Sequence, residues 1–282
     1  MKIYSYENFL IYSEVKNVDP VLFWLFILLI ALIPGFLATW LGVGGCFLRI
    51  PMLMYLLGLD IKQAYFVNQA VIAVTTIPGV IEHYRKKHVF SKGMIIAGLS
   101  AALGVALGAY VVAKYLPKNI LKIIFGLACI FIGFYVAYKT LKFKQKLTKR
   151  VTVMEIKRLE CGPRLIILMF LAGFATGICG FGGGIYYLPI YFLLGYPTHV
   201  AIGTSSAQMI ITASVGASVL AYYGFVNLLI FLYVGVFTLI ASWLGAKLSA
   251  KTMPWILRLV YAILIIFAGG YVAVDGLKAL LS

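Results

Sequence analysis

Two glycine-rich stretches decide the fold of this chain: LGVGGCFLRIP at residues 41–51 and CGFGGGIYYLP at residues 179–189. Their glycines and closing proline have the same spacing, and both stretches lie in apolar surroundings. The correspondence continues beyond them with an offset one residue shorter, so that Gly58 matches Gly195. Two copies of one membrane unit, each interrupted by glycines near its start, are typical of a secondary transporter, and the interruptions predict where a substrate binds.

The composition of the chain is that of an integral membrane protein. Its mean hydropathy is +1.03. Of the 282 residues 63% are hydrophobic and 11% are charged, against about 25% charged in an ordinary soluble domain. Residues 165–246 contain no Asp, Glu, Lys or Arg. This run is several times the roughly 20 apolar residues that cross a bilayer once, so the sequence predicts a multi-pass protein.

The positive charge of the chain is concentrated in short segments between apolar spans. The formal net charge is +16, and nine of the 24 basic residues lie in residues 139–164, opposed only by Glu155 and Glu160. This distribution follows the positive-inside rule and argues against nucleic-acid binding, because no basic face or motif accompanies it. We therefore expect a cytoplasmic linker at 139–164 that joins a first transmembrane repeat at 1–138 to a second at 165–282.

The short apolar segments at residues 45–57 and 183–194 determine the predicted topology. About 13 residues of helix span about 20 Å, less than the roughly 30 Å hydrocarbon core. If each segment still carries the chain across, each half has five crossings and the repeats are inverted; if each loops back, each half has four crossings and the repeats are parallel. Charge favours inversion, which places the basic residues of 247–258 inside and the uncharged turn at 224–227 outside.

The predicted fold is therefore an all-α polytopic helical bundle of two inverted repeats. It has 8–10 helical segments, with a short broken helix in each half and both termini outside. Helices satisfy their own backbone hydrogen bonds in lipid, whereas the continuously apolar runs lack the alternation of a membrane β-barrel.

The glycines of the two stretches are the first candidates for a binding site: Gly44, Gly45, Gly182, Gly183 and Gly184. They allow the chain to leave one helix and begin another at membrane depth. The new helix then presents unpaired N–H groups and a partial positive charge, which suit an anion. The alternative is close packing of neighbouring helices through small residues, which is common in membrane bundles.

Polar side chains follow each glycine stretch at matching positions, in YFVNQA of the first half and IGTSSA of the second. The candidates there are Asn68, Gln69, Thr204, Ser205, Ser206 and Gln208. Amides and hydroxyls in a membrane lie in the bundle interior or on a water-filled cavity, where they donate to a substrate oxyanion or bond helices together. The sequence leaves both roles open.

Arg49 lies within the first short segment, at the position that Tyr187 occupies in the second. A cation beside a glycine break is suited to neutralise an anion in the pathway. Equally, the side chain is two residues from Pro51 and is long enough to snorkel to the membrane interface. The sequence alone does not choose between an anion-binding and an interfacial Arg49.

The residue types that are missing from the apolar spans narrow the range of possible functions. None of the eight acidic residues lies in the middle of a span, which favours anionic over cationic substrates because cation carriers usually hold a membrane carboxylate. No hydrolytic constellation is recognisable, so we expect no catalytic residues, no metal site and no cofactor. The four cysteines have no metal-binding spacing and no paired framework.

The doubled glycine signature at residues 42–53 and 180–190, with AIGTSSA at 201–207, resembles the TauE/SafE family of sulfite and organosulfonate exporters. The resemblance covers essentially the whole chain after residue 20. The first copy departs from the family pattern, because Cys46 replaces the third glycine and residues 67–69 read Val-Asn-Gln instead of Thr-Ser-Ser.

The resemblance implies a multi-pass carrier in the plasma membrane that exports small sulfur-containing anions. Its partners would be the anion and membrane lipid, and the sequence gives no oligomeric state. Two alternatives remain: a carrier for another small metabolite such as a carboxylate, and a membrane receptor or scaffold without transport. A scaffold has no need of symmetric helix breaks in mid-membrane, so the doubled glycines count against it.

Overall fold

The computed structural model describes residues 20–41, 45–142, 161–249 and 254–281, and the regular structure within them is entirely α-helical. The helices are α1 (Pro20–Leu41), α2 (Cys46–Leu56), α3 (Ile61–Thr75), α4 (Ile77–Arg85), α5 (Ser91–Lys114), α6 (Lys118–Lys142), α7 (Pro163–Cys179), α8 (Gly184–Leu193), α9 (Thr198–Tyr222), α10 (Leu228–Ser249) and α11 (Pro254–Leu281). Six helical spans are long and apolar enough to cross a membrane, counting α3 and α4 together. The predicted all-α, multi-pass architecture is confirmed.

The span at residues 61–85 has the hydropathy of a single membrane crossing but consists of two helices. It divides at Thr76, where α3 ends and α4 begins. Pro78 lies in the first turn of α4 and has no backbone N–H, so it cannot donate to the preceding turn. The Ile72 carbonyl accepts from both the backbone N–H and the hydroxyl of Thr76 (3.1 and 2.7 Å). The equivalent span in the second half, α9, is continuous.

The two halves interlock, since the main contacts of the long helices cross from one half to the other. Helix α6 packs antiparallel on α11: Asn119 near its start donates to the Ala279 carbonyl (2.8 Å), and Gly133 further along contacts Ala262 and Ile266. Helices α1 and α10 run parallel, because Thr238 donates to the carbonyl of Ala31 and Ser242, one turn later, donates to that of Gly35. Helix α5 pairs with α7 in the same parallel sense.

Glycines allow α5 and α7 to approach closely. Gly104 and Gly108 on α5 face Gly173 and Gly177 on α7, and a Cβ atom on any of them would overlap the backbone of the other helix. Small residues four apart on both partners are a recurrent means of helix association in membranes. These glycines fit the packing role, and they are distinct from the glycines of the two breaks.

Three lysines at one end of the bundle have partners within the protein. Lys118 forms an ion pair with Asp60, and Lys122 forms one with Asp275 (2.8 Å). Lys114 lies over the ring of Tyr110 (5.6 Å to its centroid). The two carboxylates offset part of the positive charge at this end of the bundle.

Candidate functional site

Both glycine breaks separate a long helix from a short one. Gly45 precedes α2 with a φ of +64°, and Gly183 precedes α8 with a φ of +107°. These are left-handed backbone conformations that side-chain-bearing residues rarely adopt, so helix α7 cannot continue into α8. Gly182 also lies in the second break, and Gly184 is the first residue of α8. Gly44 lies outside the described residues.

Arg49 lies in the first turn of α2 and is completely buried. Its Nη1 donates to the Asn68 side-chain oxygen (3.2 Å). Its Nε and Nη2 have no hydrogen-bond partner among the described residues. The guanidinium therefore lies in the protein interior in this structure rather than reaching to the membrane interface.

Asn68 connects the two breaks. While its oxygen accepts from Arg49, its amide nitrogen donates to the backbone carbonyl of Gly180 (2.8 Å). Gly180 caps the C-terminal end of α7, and Arg49 lies just beyond the first break. The chain Arg49–Asn68–Gly180 thus brings together residues more than a hundred positions apart, at the point where both short helices begin.

No carboxylate among the described residues balances the charge of Arg49. The three described acidic side chains each pair with a lysine elsewhere: Asp60 with Lys118, Glu82 with Lys86, and Asp275 with Lys122. A buried charge without a counter-charge costs several kcal/mol, and an anion beside it offsets that cost. The electrostatics of the interior therefore favour an anionic ligand.

Gln69 is buried beside Asn68 on α3, but it points in another direction. Its amide has no partner among the described residues and lies against Gly216 of α9, where a Cβ atom would overlap it. An amide buried without a partner is costly, so it needs a ligand or a water molecule.

The predicted polar residues of α9 divide into two groups. Thr204 accepts a hydrogen bond from the backbone N–H of Phe90 (3.0 Å), and Gln208 accepts one from the Tyr191 hydroxyl (2.6 Å). These two side chains fit the structural alternative, bonding helices together. Ser205 is buried and its hydroxyl has no partner in the described part of the chain, whereas Ser206 is half-buried.

Sequence reasoning missed three buried hydroxyls near the breaks, those of Tyr65, Thr176 and Tyr187. All three are fully buried and have no hydrogen-bond partner among the described residues. A Cβ on Gly180 would overlap the ring of Tyr65, and one on Gly183 would overlap the ring of Tyr187. Only the alignment of Tyr187 with Arg49 signalled any of them in advance.

The two cysteines at the breaks are buried and form no disulfide among the described residues. Cys46 begins α2, and Cys179 ends α7 and accepts a hydrogen bond from the Tyr186 hydroxyl (3.5 Å). Across the described ranges no three His, Cys, Asp or Glu side chains are grouped so as to hold a metal ion. These thiols pack as small apolar side chains.

Comparison with known proteins agrees with this architecture. The family model described as sulfite exporter TauE/SafE matches residues 27–272. A probable membrane transporter protein of Methanocaldococcus jannaschii is 25% identical, over 83% of this chain and 89% of that relative. Two probable membrane transporter proteins of Bacillus subtilis are similar: YdhB is 24% identical (81% of this chain, 91% of the relative) and YunE 25% (83% and 93%). No solved structure gives a significant match.

Proposed function

The chain belongs to the TauE/SafE sulfite exporter family, and from that premise we propose that it exports a small oxyanion, sulfite or an organosulfonate, across the plasma membrane. Family membership and the long apolar helices make it a multi-pass membrane transporter rather than an enzyme. The relatives' names specify no substrate. The case for an oxyanion therefore rests on this chain's own residues.

The free edge of Arg49 carries the proposal. Nε and the adjacent Nη2 lie on the same side of the guanidinium, and both lack partners in the described structure, while Asn68 holds Nη1 on the other side. Two parallel N–H groups match two oxygens of one sulfonate, sulfite or carboxylate group. A halide or a cation makes no use of that geometry.

The surroundings of Arg49 also favour a negative ligand. The residue lies in the first turn of α2, where the helix dipole is positive. Elsewhere in the interior, Ser205, the counterpart of Asn68 in the second half, and Gln69 against Gly216 are further donors without partners in the described structure. Neutral donors hold an anion without another fixed charge, which keeps release possible.

We also propose that the two repeats are inverted, with five crossings in each half. Helices α6 and α11 are counterparts in the two repeats and pack antiparallel, as do α3–α4 and α9. Counterparts that run in opposite directions through a membrane support inversion, whereas parallel repeats would align them. The turn at 224–227 lies at the same end of the bundle as Lys62 and Lys114. The Lys62 ammonium is 5.2 Å from the centroid of the Phe225 ring and donates to the carbonyl of Ala113, the neighbour of Lys114.

Cysteine labelling tests this topology. In a background without the native cysteines, Tyr222→Cys and Tyr115→Cys are expected to react with an impermeant thiol reagent outside intact cells, because both exposed side chains lie at one end of the bundle. Lys87→Cys is the control for the cytoplasmic end and should react only after permeabilisation. Labelling of Tyr222→Cys solely from the inside would restore the parallel arrangement.

Flux into proteoliposomes tests the substrate class. Purified protein should move sulfite and sulfoacetate above the background of protein-free vesicles, and it should not move a cationic control. Sulfate and acetate in the same panel distinguish an organosulfonate or sulfite carrier from a general anion or carboxylate carrier. Transport of the cation with no anion moved would refute the proposal, and absence of any flux would favour a receptor or scaffold.

A further inference from the structure

We propose that the second glycine break contains a binding site for a monovalent cation, with Na⁺ as its ligand. Its oxygens are the hydroxyls of Thr176, Tyr187 and Thr212 and the backbone carbonyl of Gly182. The site rests on its own geometry, whereas its coupling to anion movement rests on the oxyanion carrier proposed above.

Three of the four oxygens come from the helices that meet at the break, α7, α8 and α9, and the Gly182 carbonyl lies in the break itself. The Thr212 hydroxyl lies 3.4 Å from the Gly182 carbonyl oxygen. The ring of Tyr187 lies against Gly183, the residue after Gly182, and its hydroxyl is close to those of Thr176 and Thr212. All three side chains are fully buried, and those of Thr176 and Tyr187 complete no hydrogen bond within the described structure. The result is a dry cluster of neutral oxygens with unused lone pairs.

The end of α7 makes this cluster suitable for a cation. Thr176 lies in the last turn of the helix, which ends at Cys179. The last carbonyls of a helix have no intrahelical donor and carry the negative end of its dipole. In carriers with broken helices, carbonyls of the unwound segment and the C-terminal end of a half-helix are the groups that coordinate Na⁺.

The chemistry of these ligands favours a monovalent ion over a divalent one. Ca²⁺ and Mg²⁺ take carboxylate oxygens in proteins, and the three described acidic side chains pair with lysines elsewhere. Hydroxyl and carbonyl oxygens carry only partial charges, so they neutralise a single positive charge without holding it irreversibly. The site is therefore matched to an ion that must bind and leave in each cycle.

The repeat relation gives this cation a role. Tyr187 occupies the position of Arg49, so a fixed positive charge in the first half corresponds to a neutral oxygen cluster in the second. Asn68 links Arg49 to Gly180, two residues before the Gly182 ligand. A bound Na⁺ would attract the same anion from the other break, so that each ion raises the affinity for the other.

Thermal unfolding of the purified protein tests the site without any transported anion. Na⁺ should raise the Tm of the wild type, at constant ionic strength, relative to K⁺ or choline, since a ligand that binds only the folded state stabilises it. Thr176→Val combined with Tyr187→Phe should remove this increase. Both hydroxyls lack partners in the described structure, so their removal is not expected to unfold the protein.

Thr75→Val is the matched control. Thr75 is the counterpart of Thr212 in the first half, is buried, and donates to the Val71 carbonyl (2.7 Å). This variant should keep the wild-type response to Na⁺. A wild-type Tm that does not distinguish Na⁺ from choline would overturn the proposal, as would a double variant that responds like the wild type.

Flux then separates the cation site from the oxyanion proposal. Anion movement should increase with Na⁺ concentration, and the single variant Thr176→Val should need roughly tenfold more Na⁺ for half-maximal flux. Anion flux that is indifferent to Na⁺ would refute the coupling role and leave the carrier proposal intact. A Na⁺-dependent Tm without flux of any anion would refute the carrier proposal and leave the cation site intact.

Discussion

Replacing Arg49 by glutamine is expected to abolish oxyanion transport while leaving the empty protein at least as stable as the wild type. Arg49 is fully buried and has one neutral partner, Asn68, among the described residues. Loss of a buried, hydrogen-bonded charge partner should weaken anion binding by about 2–5 kcal/mol. Removing a charge that has no counter-charge relieves a desolvation cost in the empty protein. Binding, flux and Tm measured on one preparation test all three effects.

Weaker anion binding combined with an unchanged or higher Tm distinguishes a ligand-binding role of Arg49 from a structural one. Replacing a residue that has a purely structural role would lower the Tm both with and without the anion. Arg49→Lys retains the charge but loses the two-pronged edge, so it should show intermediate anion binding. Arg85→Gln, on the exposed end of α4, is the control for loss of an arginine charge. Wild-type sulfite flux by Arg49→Gln would show that the binding site lies elsewhere.

The sequence predicts the two helix breaks because their cause is local. A left-handed φ is a property of the backbone at one residue, and glycine is the residue that tolerates it, as at Gly45 and Gly183. Hydropathy predicts the long helices for a similar reason, since a membrane imposes one length and one polarity on each span. Both features can be recognised without knowledge of what packs against what.

The environment of the polar side chains is not local, and here the sequence leaves alternatives open. Thr204 bonds to Phe90, and Gln208 bonds to Tyr191, across helix contacts that no spacing in the sequence reveals. The sequence also leaves open whether Arg49 lies at the membrane interface or in the interior, because that too depends on contacts between helices. The structure separates satisfied polar groups from unsatisfied ones, and only the latter remain free to meet a ligand.

Glycines illustrate the same limit. Gly173 and Gly183 are both membrane glycines in the sequence, yet Gly173 has an ordinary φ and fits against the backbone of α5, whereas Gly183 breaks a helix. The break at Thr76 is hidden in the same way, because the average hydropathy of the span conceals a single proline. Contacts between elements, rather than composition, distinguish these cases.

Alanine at Gly45 or Gly183 is expected to abolish transport and lower the Tm, because the new methyl group meets two obstacles. The first is conformational: φ values of +64° and +107° are unfavourable for alanine. The second is steric: the Cβ would overlap the Pro34 carbonyl oxygen at Gly45, and the ring of Tyr187 at Gly183. Overlap with the backbone of α1 cannot be relieved by a side-chain rotation, so Gly45→Ala should be the more damaging change.

Gly58→Ala and Gly195→Ala isolate the first obstacle from the second. Both glycines have positive φ values, +67° and +80°, but a Cβ there meets nothing within 4 Å. They should lose only about 1–2 kcal/mol of stability from backbone strain and retain transport. Each break variant is compared with its control variant by measuring the Tm and the flux per inserted protein. Equal behaviour of Gly45→Ala and Gly58→Ala would show that close approach at the break contributes nothing, because the conformational cost is the only one they share.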